Sequence, residues 1–171
     1  TVVVAASGGL DSTLLLYLLR YHSHLRDGLV AAHYDHRIRP DSGADAAWIR
    51  GLCRAWRIPI EIGAATAPPP SEAAAREARY SFLESVRVAV GAEWIVTAHH
   101  ADDQVETVLF RIFRGTGLTG LGGIPARTDR RILRPLLRFT RSDLEDSADE
   151  LGLRWRHDRT NDEDRFTRNR I

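Results

Sequence analysis

Five short apolar runs, near residues 1–6, 28–34, 58–62, 93–98 and 131–135, alternate along the chain with longer segments of helical period. Strands separated by helix-length crossovers pair in parallel, because the crossover returns the chain to the end of the sheet from which the next strand must start. The expectation is therefore an α/β fold: an open, parallel five-stranded sheet, Rossmann-like, with helices on both faces near 11–25, 41–57, 71–90, 101–114 and 140–151. A length of 171 residues supports one core and is short for two, so residues 1–171 read as a single domain. "APPP" (67–70) reads as the loop before an N-cap at Ser71. The glycine-rich stretch 115–130 has no regular pattern; its first part, 115–123, is expected to act as a mobile lid or an RNA-contacting element, against the plainer reading of a connector.

In open parallel sheets, ligands collect outside the carboxyl ends of the strands, where strand order reverses. Three groups lie at such ends: Ser7 to Ser12, His33 to Arg39, and His99 to Glu106. They are expected to converge on one crevice.

The first group, "SGGLDS" (Ser7, Gly8, Gly9, Leu10, Asp11, Ser12), sits between an apolar strand and an apolar helix. The first amides of that helix lack partners, so small residues and hydroxyls there form a cradle for an anion, with phosphate the obvious candidate and Asp11 able to hold Mg²⁺ against it. It is neither the P-loop pattern nor the Rossmann glycine pattern. All 24 Lys+Arg residues are Arg, so a P-loop lysine is missing as well. The plain alternative is a tight turn with Ser and Asp caps.

The segment 97–121, "TAHHADDQVETVLFRIFRGTGLTGL", puts Val105, Val108, Leu109 and Ile112 on one apolar stripe, expected to face the sheet. Asp103 and Glu106, three apart, share another face near the helix start, beside the strand end carrying His99. Two carboxylates there could neutralise an ammonium group or hold Mg²⁺, and the histidine could bond a phosphate or shuttle a proton. The competing readings are acidic residues drawn to a helix N-terminus, and a two-metal centre of His99, His100, Asp102 and Asp103. The second is disfavoured because adjacent residues of an extended segment point to opposite faces. Asp35, His36, Arg37 and Arg39 could meet a nucleotide or RNA phosphate. Arg76 and Arg79, one helical turn apart, make a basic helix face that is either solvated or turned to the crevice.

A single cysteine, Cys53, excludes an internal disulfide framework and fits a reducing, cytoplasmic setting. No apolar run reaches the length of a membrane span, so no membrane partner is expected. The formal net charge of +1 is not the bulk signature of a nucleic-acid binder.

"SGGLDS" resembles the PP-loop of the ATP-pyrophosphatase superfamily, whose fold is the adenine nucleotide alpha hydrolase-like one. "DHRIRPDS", "AREARY", "TAHHADDQVETVLFRIFRGTGLTGL", "RPLL" and the closing "DRTNDEDRFTRNRI" follow in an order that resembles the catalytic N-terminal domain of the tRNA(Ile)-lysidine synthetases. The resemblance implies ATP and Mg²⁺ as cofactors, and free L-lysine and tRNA(Ile) with a CAU anticodon as substrates. It leaves room for a homodimer, and places the C-terminal tRNA-binding domains outside this chain. It also implies that Ser7–Ser12 hold ATP, that Asp103 and Glu106 hold the incoming lysine, and that His99 stands at the reacting phosphate with Arg79 nearby. One departure is Asp35-His36-Arg37-Ile38-Arg39, where the family usually has Asn-His-x-Leu-Arg. Another PP-loop enzyme, a tRNA thiolase or an amide-forming synthetase, and a non-catalytic nucleotide-binding module remain the alternatives.

Overall fold

The computed structural model describes residues 1–38, 42–115, 117 and 121–156. Five strands, β1 (Val2–Ala5), β2 (Leu29–Asp35), β3 (Ile60–Ala64), β4 (Trp94–Val96) and β5 (Ile132–Leu133), alternate with α1 (Leu10–Tyr21), α2 (Ser42–Ala55), α3 (Glu72–Ala89), α4 (Ala101–Phe113) and α5 (Arg141–Glu150). All pairings are parallel, in the order β3-β2-β1-β4-β5. The expected α/β sheet is thus present, with β1 at its centre.

The "VVV" of β1 shows why a central parallel strand reads as a continuous apolar run. Successive side chains point to opposite faces, so Val2 and Val4 enter one core and Val3 the other. The first core joins Val2 and Val4 to Leu10, Leu14 and Leu15 of α1, Ile49 and Cys53 of α2, and Leu144 and Ala148 of α5. The second joins Val3, Ala32, Ile95 and Ile132 to Leu83 and Val86 of α3.

Local chemistry sets the helix ends. Ser71 caps α3 as expected, its hydroxyl accepting from the Ala74 amide at 3.1 Å. Thr140 and Asp143 form a reciprocal capping box at the start of α5. Helix α1 stops at Tyr21, short of the expected residue 25, and just beyond it the Ser23 hydroxyl donates to the Leu19 carbonyl at 2.6 Å.

The apolar stripe of α4 does not face the sheet: Val105 is 58 % exposed, Leu109 40 % and Ile112 49 %, and the helix buries none of its residues. Periodicity establishes that a helix has an apolar side, but not which surface covers it. Instead α4 is tied through polar groups. Its Gln104 amide bonds both the N–H and the carbonyl of Ile124, and its Arg111 donates to the Gly123 carbonyl at 3.0 Å. These bonds pin the far end of the glycine-rich stretch; Thr116 and residues 118–120, within the proposed lid, lie outside the described residues. Among the described residues, no helix is long and apolar enough to cross a membrane.

Candidate active site

The chain runs outward from β1 to β2 and β3, then crosses back to place β4 on the other flank of β1. Loops leaving β1 and β4 therefore part from each other, and a crevice opens between them. A cavity of about 240 Å³ lies there. It is built from the ends of β1 (Ala5 and Ala6), β2 (Ala32 to Tyr34) and β4 (Thr97 to His99), with Ser7, Asp11, Ser12, His36, Arg79, Leu83 and Asp103 around them.

The Ser7–Ser12 turn is folded around one hydroxyl. Ser12 Oγ accepts from the amides of Ser7 and Gly8, both at 3.2 Å, lies 2.9 Å from Ser7 Oγ, and donates to the Gly9 carbonyl at 3.2 Å. Donors that an anion would use are thus already gathered at the start of α1. The two glycines have different reasons to be there. Gly8 has φ +93° and sits against the Trp48 indole, so the fold itself demands glycine. Gly9 has φ −71° and ψ 171°, and a Cβ there would meet nothing closer than Ser7 Oγ at 3.6 Å. The fold does not require glycine at Gly9, and the backbone there is open to close approach. Leu10, by contrast, puts its side chain in the core, so only its backbone is available to a ligand.

Asp11 projects from the first turn of α1 into a charged cluster. Arg141, at the start of α5, donates to its two carboxylate oxygens at 2.7 and 2.9 Å, and His100 Nε2 lies 3.9 Å away. Desolvation nevertheless raises the Asp11 pKa, outweighing the opposing pull of Arg141 and His100. His100 is ringed by carboxylates, with Asp102 at 3.4 Å and Asp103 at 3.6 Å. Asp103 also accepts from the His100 amide at 2.9 Å, which fixes the carboxylate at the start of α4. Among the described residues no three His, Cys, Asp or Glu side chains form a metal cage. A single carboxylate such as Asp11, joined by phosphate oxygens, does suit Mg²⁺, which seldom relies on an all-protein site.

His99 shares a hydrogen bond of 2.9 Å between its Nδ1 and Thr97 Oγ1. Burial lowers its pKa to about 4; Asp103 opposes the shift, while Arg134, Arg79 and Arg76 add to it. The imidazole is therefore neutral at pH 7, a hydrogen-bonding partner rather than a cation. On the β2 side, His33 Nδ1 donates to the Ala6 carbonyl at 2.8 Å, holding the two strand ends together. His33 Nε2 and His36 Nδ1 are buried with no partner, and both residues line the cavity. Burial, followed by the charge of Arg79, lowers the His36 pKa. Buried polar atoms of this kind call for hydrogen bonds that a polar ligand would supply.

Ser7, Asp11, Ser12, Arg79, His99 and Asp103 are accordingly brought together. Glu106 is exposed and outside the cavity lining, one turn further along α4, and Arg39 lies outside the described residues. Arg37 adopts φ 53°, its amide accepted by the Asp35 carboxylate at 2.8 Å. Sequence reasoning missed Thr97 and Arg141. Arg141 is 130 positions from Asp11, and no local pattern announces such a partner.

The chain matches the PP-loop domain family over residues 1–171. It is 43 % identical over 178 aligned positions to the tRNA(Ile)-lysidine synthase of Thermotoga sp. strain RQ2, covering 99 % of this chain and 43 % of that protein. It is 36 % identical to the one from Bacillus subtilis strain 168, covering 100 % and 39 %. The chain thus spans less than half the length of these relatives. Among solved structures it resembles the U34-tRNA thiolase NcsA of Methanococcus maripaludis with its [4Fe-4S] cluster, with a TM-score of 0.75 at 18 % identity, over 91 % of this chain and 57 % of that one. The NH3-dependent NAD synthetase of Campylobacter jejuni gives a TM-score of 0.60 at 17 % identity, covering 89 % and 64 %. These two likenesses show the fold.

Proposed function

The chain belongs to the PP-loop domain family, and from that premise we propose that it is the catalytic part of a tRNA(Ile)-lysidine synthetase. On this reading it acts in the cytoplasm, uses ATP and Mg²⁺, and joins free L-lysine to C2 of the wobble cytidine of tRNA(Ile) with a CAU anticodon. The observation that carries the reading is the meeting of the Ser7–Ser12 cradle, Asp11, Arg79, His99 and Asp103 around one cavity. The identity shared with lysidine synthases across nearly the whole chain supports it.

The chemistry divides between the two walls. The oxygen on cytidine C2 is a poor leaving group; transfer of AMP to it, with release of pyrophosphate, turns it into a good one. The lysine ε-amine then forms the C–N bond as the C–O bond to AMP breaks, and the amine loses a proton. The Ser7–Ser12 amides and hydroxyls and Arg79 would hold phosphate oxygens where charge develops. Mg²⁺, when bound through Asp11, supplies neutralisation of that charge. For Asp11 to take this role its carboxylate must exchange the Arg141 guanidinium for the ion. Neutral His99 would donate or accept a hydrogen bond at the reacting phosphate without adding charge. Asp103 would receive the ammonium end of lysine, with Glu106, one turn further along α4 and outside the lining, as a second carboxylate.

The thiolase and synthetase alternatives share the fold only. Cys53 is this chain's single cysteine and is buried in the core, away from the cavity, so a cysteine-held cluster has no ligand set here. The test is incubation of the full-length protein with ATP, Mg²⁺, a tRNA(Ile) transcript with a CAU anticodon, and radiolabelled lysine. Label should enter the tRNA, and Asp103→Asn should abolish the transfer while leaving ATP binding intact. No label, or transfer by Asp103→Asn at the original rate, defeats the assignment. A homodimer is compatible with this reading, and sedimentation velocity decides it.

A further inference from the structure

Helix α3 walls a second cavity, of about 800 Å³, closed on its far side by the 128–131 turn, Ile95 and Arg134. Arg134 is 5 % exposed, and no other Arg, Asp or Glu among the described residues is buried. Its Nη1 donates to the Pro125 carbonyl at 2.7 Å, but its Nε is buried without a partner, and no carboxylate among the described residues pairs with it. Tyr80 Oη, in the wall of the same cavity, is likewise buried and unpartnered. A guanidinium removed from water with neither counter-ion nor full hydrogen bonding is costly, and an anion seated against it would remove the deficit.

The rim adds the same sign of charge. Arg76, Arg130 and Arg131 are exposed around the cavity, against Glu77 and Asp129, while Arg87 and Glu84 neutralise each other through two bonds of 2.7 and 2.6 Å. With Arg134 included, the lining keeps a net positive charge. Guanidinium edges and a phenolic hydroxyl are the donors that phosphate oxygens take. The two cavities also adjoin. The Tyr80 ring carries the Arg76 guanidinium at 5.2 Å and that of Arg79 at 5.4 Å, and Arg79 lines the first cavity.

We propose that this second cavity is a phosphate-binding site. On the tRNA-modifying reading, on which this assignment of source rests, it holds backbone phosphates of the RNA flanking the nucleotide in the first cavity. The protein would then fix the strand on one side of α3 and perform chemistry on the other.

Two probes test it: an anticodon stem–loop RNA, and inorganic phosphate added with the first cavity saturated by a non-hydrolysable ATP analogue. Tyr80→Phe keeps the ring and removes one donor; Arg130→Gln and Arg131→Gln alter exposed residues only. Each change should weaken RNA binding about three- to tenfold, and each arginine change should lower the slope of log affinity against log salt by about one for every phosphate left without its guanidinium. Phosphate binding should weaken in parallel, and affinity for the ATP analogue should stay unchanged. RNA and phosphate affinities both equal to those of the unaltered protein overturn the proposal. Weakened phosphate binding with unaltered RNA binding overturns RNA as the source. If the unaltered protein binds no RNA, the tRNA-modifying reading fails on its own account; the phosphate arm then decides the cavity, a loss in the variants supporting the site and no change refuting it.

Discussion

Replacing His99 by Asn should remove a large part of the acid sensitivity of the fold. In the folded protein the imidazole titrates near 4, depressed by burial and by Arg134 beyond β5 and Arg79 and Arg76 on α3, with Asp103 on α4 opposing them. In the unfolded chain it returns to the ordinary 6.5. Between those values the unfolded state binds the extra proton, so stability rises with pH across the window. The contribution is fully present above about pH 6.5 and is lost as pH falls towards 4. At about 1.4 kcal/mol per pH unit, the interval amounts to about 3 kcal/mol. Chemical denaturation at a series of pH values measures it directly. The difference in unfolding free energy between the unaltered protein and His99→Asn should change by about that amount from pH 7 to pH 4. Asp11, whose pKa is raised, also titrates in acid, but its contribution is present in both proteins and largely cancels in the difference. Curves that stay parallel within about 0.5 kcal/mol would show that the ring is not held neutral by its surroundings.

Gly9→Val should fold normally, since the backbone there is extended and the added side chain starts in open contact, yet lose at least about tenfold in ATP affinity by calorimetry because the backbone can no longer approach a phosphate. Gly63→Ala should destabilise the fold by about 1–3 kcal/mol, because its Cβ would lie 2.6 Å from the Phe82 ring, itself packed on Tyr34; Phe82→Leu in the same chain should recover part of the loss in urea denaturation. Cys53, fully buried with its thiol pushed up to about 12, should react with a disulfide reagent only as fast as the core opens, and labelling at the rate of a free thiol would contradict its place in the core.

The sheet was legible because its signals are local: apolar runs of strand length, helical spacing between them, and Ser71 as a cap. The Ser7–Ser12 turn was legible because it lies at a strand–helix junction, where chain direction alone says that the first amides of the helix lack partners within it. Partners from distant elements were not legible. Nothing near Asp11 reveals that Arg141 will reach it, and nothing in "RPLL" says that Arg134 will be buried without a counter-ion. The stripe on α4 failed for a different reason. Its spacing does mark an apolar side, but α3 already covers the second face of the sheet, and α4 is anchored by Gln104 and Arg111 instead.

The position of β1 between β2 and β4 has a consequence for the order of assembly. A chain emerging from the ribosome can pair β1, β2 and β3 once residues 2–64 are out, but one edge of β1 then stays open until Trp94–Val96 arrives. Until that strand docks, the Ser7–Ser12 turn has no opposite wall, because Thr97, His99 and Asp103 all follow β4. Ligand binding can therefore draw only on the completed fold, stabilising it by mass action after the slow non-local pairing has occurred rather than guiding that pairing. Added nucleotide should slow unfolding and leave the refolding rate unchanged.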